Sequence, residues 1–439
     1  MVMVRKKTLL SALILAVGIA LVTAGTEQVV LDVDAAVKMA KENNLNLLSA
    51  RIDLGIKERE QKASWNELLP SLGVGASLSH SQIVTSLGLT NPSPWGLSAN
   101  VSASLPLSSS LRYSIRGTEL EYQAEATAVE RTEKQLERDV RKAFYALLLQ
   151  QENIRLLEES QETARKRFEQ VSTSYEYGLA SELDKLNAQV NLENLKPDLQ
   201  KARTDYETAS MEFKYVLGLD RKAGLELQGA IGTVGLRLDA EELIRAYAPG
   251  RLAVVALMHD LAILENDRKL AAAQEVRPSV SLSYSFRAAQ SDPFSASGWG
   301  GAGWSGTSSL GVSLSMPLDG LIPSSASQVR LAGIDDSIRK KHLELEEARS
   351  RGEITIETLV LDLERSRLAI EVLEKNVELA ARVYELTEQE YEAGLTDLLT
   401  LEESYDDLQQ ARLKVLTEQY NYQALQLDLA YELNADLEG

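Results

Sequence analysis

Few side chains in these 439 residues could do bond chemistry, and their spacing does not gather them. The histidines, His80, His259 and His342, lie far apart on different elements, so each is expected to be solvated or packed and not to form a zinc triad. The absence of cysteine excludes a disulfide framework, a thiolate metal site and a lipid-modified N-terminal cysteine. The six methionines form no cluster that could relay a soft metal ion. No glycine-rich loop with a phosphate-binding lysine occurs, so any energy must come from a partner. Neither enzymatic activity nor a cofactor is expected. Acidic residues outnumber basic ones 65 to 46, for a formal charge of −19, which excludes a nucleic-acid partner because phosphate binding needs a basic face. A lone carboxylate on a helical surface is solvated; it gains a role only where the architecture multiplies it. The elements therefore decide.

The chain repeats itself. Tyr175, Glu176, Gly178 and Leu179 recur as Tyr391, Glu392, Gly394 and Leu395, 216 residues later. Upstream, Val140, Leu147, Ile154, Phe168 and Tyr175 stand seven or fourteen apart and map by the same offset onto Ile356, Leu363, Ile370, Tyr384 and Tyr391. Apolar residues on a period of seven describe a coiled-coil seam. Toward the N-terminus the offset shrinks to 211 at Pro106 and Pro317 and to 208 at Pro70 and Pro278, as loop insertions between duplicated elements would produce. The expected organisation is a signal peptide over 1–24, a first repeat over 25–230 and a second over 231–439, each a helix, a β-hairpin (71–106, 279–317) and a long helical pair (111–219, 325–435). The signal peptide rests on Arg5, Lys6 and Lys7 before a run from Leu9 to Val22 too short to span a bilayer, followed by small residues.

Between the helical blocks the period changes to two. Leu72, Val74, Ala76 and Leu78 alternate with Gly and Ser, as do Leu97, Ala99, Val101, Ala103 and Leu105 with Ser and Asn. Val280, Leu282, Tyr284 and Phe286 repeat the pattern, and so do Leu310, Val312, Leu314 and Met316. One apolar face and one small polar face, with no charge in these runs, is the signature of a membrane barrel strand with lipid outside and water inside. Loops rich in Gly, Ser, Pro and Trp join the strands within each pair. Pro106 and Pro317 are expected to end strands.

Four strands cannot close, and an open edge in lipid leaves backbone groups unpaired. Chains must pool strands. Eight would be filled by side chains and twelve leave a lumen, which the Ser and Gly lining favours. A trimer is the simplest such assembly. The proline-free stretches Leu111–Tyr177 and Val329–Ala393 would each run about 100 Å as helices. Each turns at its glycine and returns through a second helix, the first carrying Pro197, where a kink is expected. Shorter helices over 35–68 and 241–273 precede the hairpins.

In this order the elements resemble the TolC-like outer-membrane efflux proteins over essentially the whole mature chain. The resemblance implies an α plus membrane β-barrel fold with internal duplication: a homotrimer whose twelve-stranded barrel, four strands per chain, is embedded in outer-membrane lipid and continued by a long α-helical coiled-coil barrel in the periplasm of a diderm bacterium. It implies a passive exit duct, for efflux or type I secretion, serving an inner-membrane pump and a periplasmic adaptor protein. The family closes its tip with aspartates one and two turns past the glycine and an aromatic one turn before it. Onto those places fall Asp184 in the first repeat and Glu403 and Tyr391 in the second, with Asp397 a nearby acidic candidate. Thr400 stands where the second repeat would match Asp184, and Thr396 where a basic latch residue can occur, which implies a weaker or absent salt-bridge lock. The turns Tyr175, Gly178, Leu179, Ala180 and Gly394, Leu395, Thr396 are the expected adaptor-docking surface. Pro106-Leu107-Ser108-Ser109 and Pro317-Leu318-Asp319-Gly320 depart from the family's aromatic-glycine turn after the strands. A coiled-coil spacer tethered to the outer membrane would account for the helices but not for paired Ser-lined strands. A membrane enzyme would need a clustered acid, base or nucleophile, and none is visible.

Overall fold

The computed structural model describes residues 28–82, 84–85, 88–89, 95–232, 238–291, 293–294 and 303–435. The expected signal peptide lies outside them, as does most of each strand-joining loop. In chain order the elements are β1 (Gln28–Leu31), α1 (Val33–Asn43), α2 (Leu45–Ala63), β2 (Ser71–His80), β3 (Val84–Thr85), β4 (Gly88–Leu89), β5 (Trp95–Ser108), α3 (Leu111–Glu176), α4 (Glu182–Leu217), β6 (Gly224–Leu227), α5 (Ala240–Tyr247), α6 (Leu252–Glu275), β7 (Ser279–Ser291), β8 (Trp304–Ser315), α7 (Ala326–Glu392) and α8 (Leu398–Leu433). The second half thus follows the order of the first, apart from β3 and β4, which have no counterpart among the described residues.

Period two becomes an antiparallel sheet in the order β2-β5-β7-β8, with neither outer edge paired. Its register keeps the two faces distinct. Val74 stands opposite Val101, Val101 opposite Phe286, and Tyr284 opposite Leu310, while Ser102 meets Ser285 and Ser285 meets Ser309 on the other face. Serine pairs on that face bond across strands, Ser77 to Ser98 at 2.9 Å and Ser281 to Ser313 at 2.7 Å. The 13 residues of β7 extend about 43 Å, enough to cross a bilayer at a tilt near 45°. At the end remote from the helices His80, Trp95 and Phe294 stack edge to face. Trp95 and Trp304 both lie on the apolar face there, the place where a membrane interface holds aromatic rings.

Two strand expectations need correction. β5 does not end at Pro106 but runs on to Ser108, with Pro106 opposite Ser281 of β7. β2 begins at Ser71, opposite Ser104, so at Pro106 strand β5 has a neighbour on one side only and the missing N–H disrupts no two-sided ladder. β7 is also longer than its alternating core and takes in Arg287, so the sheet is not free of charge.

The period-seven stretches form α3 and α7, of 66 and 67 residues. On the sheet side they are packed in the order α2-α3-α6-α7, and on the far side α4-α3-α8-α7. The chain is thus a strip, four strands wide at one end and four helices wide below. Cross-links between halves tie α3 to α8: the Lys142 ammonium donates to both carboxylate oxygens of Asp428 at 2.8 and 2.7 Å. Midway along the strip lie two cores. Val140, Phe144 and Leu147 of α3 pack with Phe213 and Leu217 of α4 beneath α1 and the parallel pair β1–β6. Ile356, Val360 and Leu363, each 216 positions further on, pack with Tyr422 and Leu429 of α8. Burying each such side chain is worth roughly 1.5–3 kcal/mol.

The expected helix over 35–68 is two helices. Asn44 separates them because its side chain accepts from the N–H groups of Asn46 and Leu47 and its amide donates to the Val216 carbonyl at 3.1 Å. The helix expected over 241–273 is likewise broken, by the turn Ala248–Gly250 around Pro249. In contrast, α4 stays one helix through Pro197, which is exposed together with Glu193, so the carbonyl it frees is open to water.

Candidate functional site

The end of the strip opposite the sheet is built from two equivalent turns. Each long helix stops at a glycine in the left-handed region, Gly178 at φ 72° and Gly394 at φ 73°, a conformation that residues with a Cβ avoid. The following N–H groups close the helix end: Leu179 donates to the Ser174 carbonyl and Leu395 to that of Glu390, both at 2.8 Å. Both leucines are left in the open, 82% and 78% exposed.

The acids expected in this region have local partners. Ser181 caps α4 and Asp184 completes a capping box, its Oδ2 accepting from the Ser181 N–H at 3.1 Å and hydroxyl at 2.6 Å. Asp397 caps α8, accepting from the Thr400 N–H at 2.8 Å and hydroxyl at 2.7 Å. The backbone bond, then the hydroxyl bond, holds its carboxyl below the usual range. Thr400 thus serves the cap in the place where the first half has Asp184. Tyr391 packs half-buried on the cluster of Val171, Ala188 and Leu398, which joins the two turns. Burial raises its phenol pKa and the nearby charge of Asp184 raises it further. Asp184 and Tyr391 are therefore brought together across the halves, whereas Glu403 points to the exposed side of α8.

The interior of the tip holds a different acid, Glu402, which is 6% exposed. It stands four residues after Leu398 on one helical face, while Glu403 is turned about 100° away. Its Oε1 accepts no hydrogen bond among the described residues, and the Asn191 amide of α4 reaches the carboxylate. The nearest cation is Arg167 of α3, whose Nη2 donates to the Tyr384 hydroxyl at 3.0 Å and whose guanidinium lies 5.2 Å from the Tyr405 ring centre. Tyr384 and Tyr405 stack edge to face at 5.4 Å. The tip thus has a cationic residue joining α3 to α7 and α8, drawn from a position the turn motif does not point to. The signal available in the sequence was the seam: Tyr384 is the offset partner of Phe168, and Leu398, Leu401, Tyr405 and Leu408 keep a three-four spacing that puts Glu402 beside the core.

Residues 36–219 match the family described as outer membrane efflux protein. No curated protein sequence matches the chain significantly. Among solved structures, the CmeC outer membrane channel of Campylobacter jejuni superposes with a TM-score of 0.78 at 15% identity, over 91% of this chain and 85% of that one. VceC of Vibrio cholerae gives 0.74 at 15% identity, over 92% and 97%. The open state of the MtrE outer membrane channel of Neisseria gonorrhoeae gives 0.70 at 19%, over 92% and 89%. At such identities the likeness is one of fold. The first half thus matches the outer membrane efflux protein family, and nearly the whole chain shares the fold of these outer-membrane channels.

Burial raises the Glu402 carboxyl pKa, with Asp406 adding to the rise and Asn191 and Arg167 opposing it. A carboxyl whose folded pKa lies above its unfolded value binds its proton more tightly when folded. Its contribution to stability is therefore full below the unfolded value and is lost as pH rises through the folded one. Glu402→Gln is expected to raise the thermal unfolding midpoint near pH 8 and to leave it unchanged near pH 4, followed by far-UV circular dichroism. A midpoint difference independent of pH would contradict this account.

Proposed function

We propose that three copies of this chain close into a passive duct, a twelve-stranded barrel in the outer membrane continued by a twelve-helix barrel in the periplasm, formed by an internally duplicated chain. The observation that carries the reading is the strip's pair of unsatisfied margins. At the sheet, β2 and β8 each have one unpaired edge, and lipid offers their backbone groups no partner. In the helical part α7 exposes Ile354, Leu361 and Leu368, then Val372, Leu379 and Leu386, at intervals of seven. On the opposite margin α2 exposes Leu45, Leu48, Ile52 and Ile56, and α4 exposes Leu183, Leu186 and Val190. Two different apolar margins on one strip make a head-to-tail interface, which closes as a ring. Leu361→Lys with Leu368→Lys removes that seam without touching the chain's own cores. The variant is expected to leave monomers in place of trimers on analytical ultracentrifugation in detergent, and a persisting trimer overturns the assembly.

Within this reading the duct passes substrates delivered by an inner-membrane pump and a periplasmic adaptor, in efflux or type I secretion, and its tip is the gate. Asp184, Tyr391, Asp397 and Glu403, in three copies around one axis, form the acidic ring. Capping ties Asp184 and Asp397 to one orientation, which supports a fixed acidic collar. Asp184→Asn keeps an acceptor for the cap, and with Glu403→Gln it should lower cation preference or raise conductance in planar bilayers. An unchanged single-channel record excludes the collar.

The turns Tyr175, Gly178, Leu179 and Ala180, with Gly394, Leu395 and Thr396, are the proposed adaptor-docking surface, supported by the outward-facing Leu179 and Leu395. Because neither leucine packs within its chain, Leu179→Glu with Leu395→Glu should preserve trimers and bilayer conductance. The same variant should lose efflux of a fluorescent dye from cells supplying pump and adaptor, and retained efflux would remove the turns from docking.

A further inference from the structure

The polar face of the sheet carries a single ionised side chain among its described residues, Arg287 of β7. The register sets it in a row across all four strands, with Gly75 and Asn100 on one side and Thr307 on the other, so no acidic residue stands beside it. Its hydrogen bond is to a neutral partner: Nη2 donates to the Ser98 hydroxyl at 3.2 Å. The side chain is exposed, and the rows nearer the helices offer only serine, glycine and Pro106 on this face. Arg287 lies eight residues from the start of β7, about 26 Å along the strand from the helical end. Among the described residues this guanidinium has no acidic partner on its wall, whereas arginine is normally paired where it is structural.

We propose that Arg287 is the ion-selectivity residue of the barrel lumen, where its three copies form a cationic ring favouring small inorganic anions and anionic groups on passing solutes. The assignment rests on the trimeric-barrel reading. It gives the duct two electrostatic stages of opposite sign, an acidic collar at the periplasmic tip and a basic ring toward the outer mouth. Such a ring acts across water, so its influence grows as salt is diluted and the screening length rises above about 10 Å. The conserved feature required is charge, not the guanidinium fork.

The test is the chloride-to-potassium permeability ratio of full-length trimers in planar bilayers under a KCl gradient near 0.1 M. Arg287→Gln is expected to lower the ratio on the order of twofold, the size expected of three unit charges acting through water across about one screening length. Arg287→Glu should lower it further, and Arg287→Lys should match the wild type, an ordering by charge that a hydrogen-bonding role at Ser98 would not give. Inorganic pyrophosphate added on the barrel side should block the wild type and Arg287→Lys more strongly than Arg287→Gln. An unshifted permeability ratio in Arg287→Gln and Arg287→Glu, or pyrophosphate block that ignores the substitution, overturns the assignment. Absence of any conductance in wild-type trimers would overturn the duct reading itself, so the two failures are distinguishable.

Discussion

A backbone N–H or C=O in hydrocarbon must find a partner, and the unpaired outer edges of β2 and β8 make this requirement govern everything below them. The sheet is too narrow to close alone, so whatever joins β8 to a β2 fixes the spacing at which the helical strips meet. The helices are built to the same margin. On α7 the exposed apolar residues recur every seven positions in two runs, 354–368 and 372–386, which under the proposed closure would turn that part of the helix toward the next strip. Under the proposed assembly, membrane closure and helical closure are therefore one geometrical problem solved at two heights. The mid-strip cores hold the four helices in register between them.

Period two and period seven were legible because they arise from the environment of each face, and the faces survive in the structure residue by residue. Local decisions were less so. Asn44 breaks a run of good helix formers because its amide also finds the carbonyl of Val216, 172 positions away, a contact that no local pattern encodes. Pro106 sits inside a strand because β5 runs on past the first residue of β2, which depends on its neighbours. At the tip the same limit applies. Asp184 and Asp397 were visible as acids near a turn, but Glu402 differs from Glu403 by one residue and by nearly all its solvent exposure. Only the packing of α8 on α3 and α4 decides which of the two is inside. Arg287 lies one residue past the alternating apolar run that ends at Phe286, so the run itself carries no charge.

The two turns share a backbone and differ in chemistry. Both stop at a positive-φ glycine and both restart on a side-chain cap, so the shape of the tip is set by features common to the halves. What distinguishes them is the filling: Tyr384 stands at the position offset from Phe168, and its hydroxyl is where Arg167 of the first half takes hold. That oxygen joins two otherwise like helices as a bonded pair, while Tyr391 feels the charge of Asp184 across the halves. The halves are held to each other by their differences.

That asymmetry also divides the mechanical roles. α3 is enclosed within its own chain by α2, α4, α6 and α8, whereas α7 has α6 and α8 on one side and an open seam on the other. Disturbing α3 therefore attacks the fold of the protomer, as does disturbing the Ile356, Val360 and Leu363 face of α7, whereas disturbing the exposed face of α7 attacks only what lies beyond it. Under the proposed closure a movement that widens the tip must slide α7 and α8 against a neighbouring strip while the Arg167 contacts either hold or give way. A weakly bonded seam between chains and a bonded one within the chain make the former the cheaper place to move. The exposed apolar residues of the α7 seam fit that division, since apolar contact does not fix a single set of directional bonds.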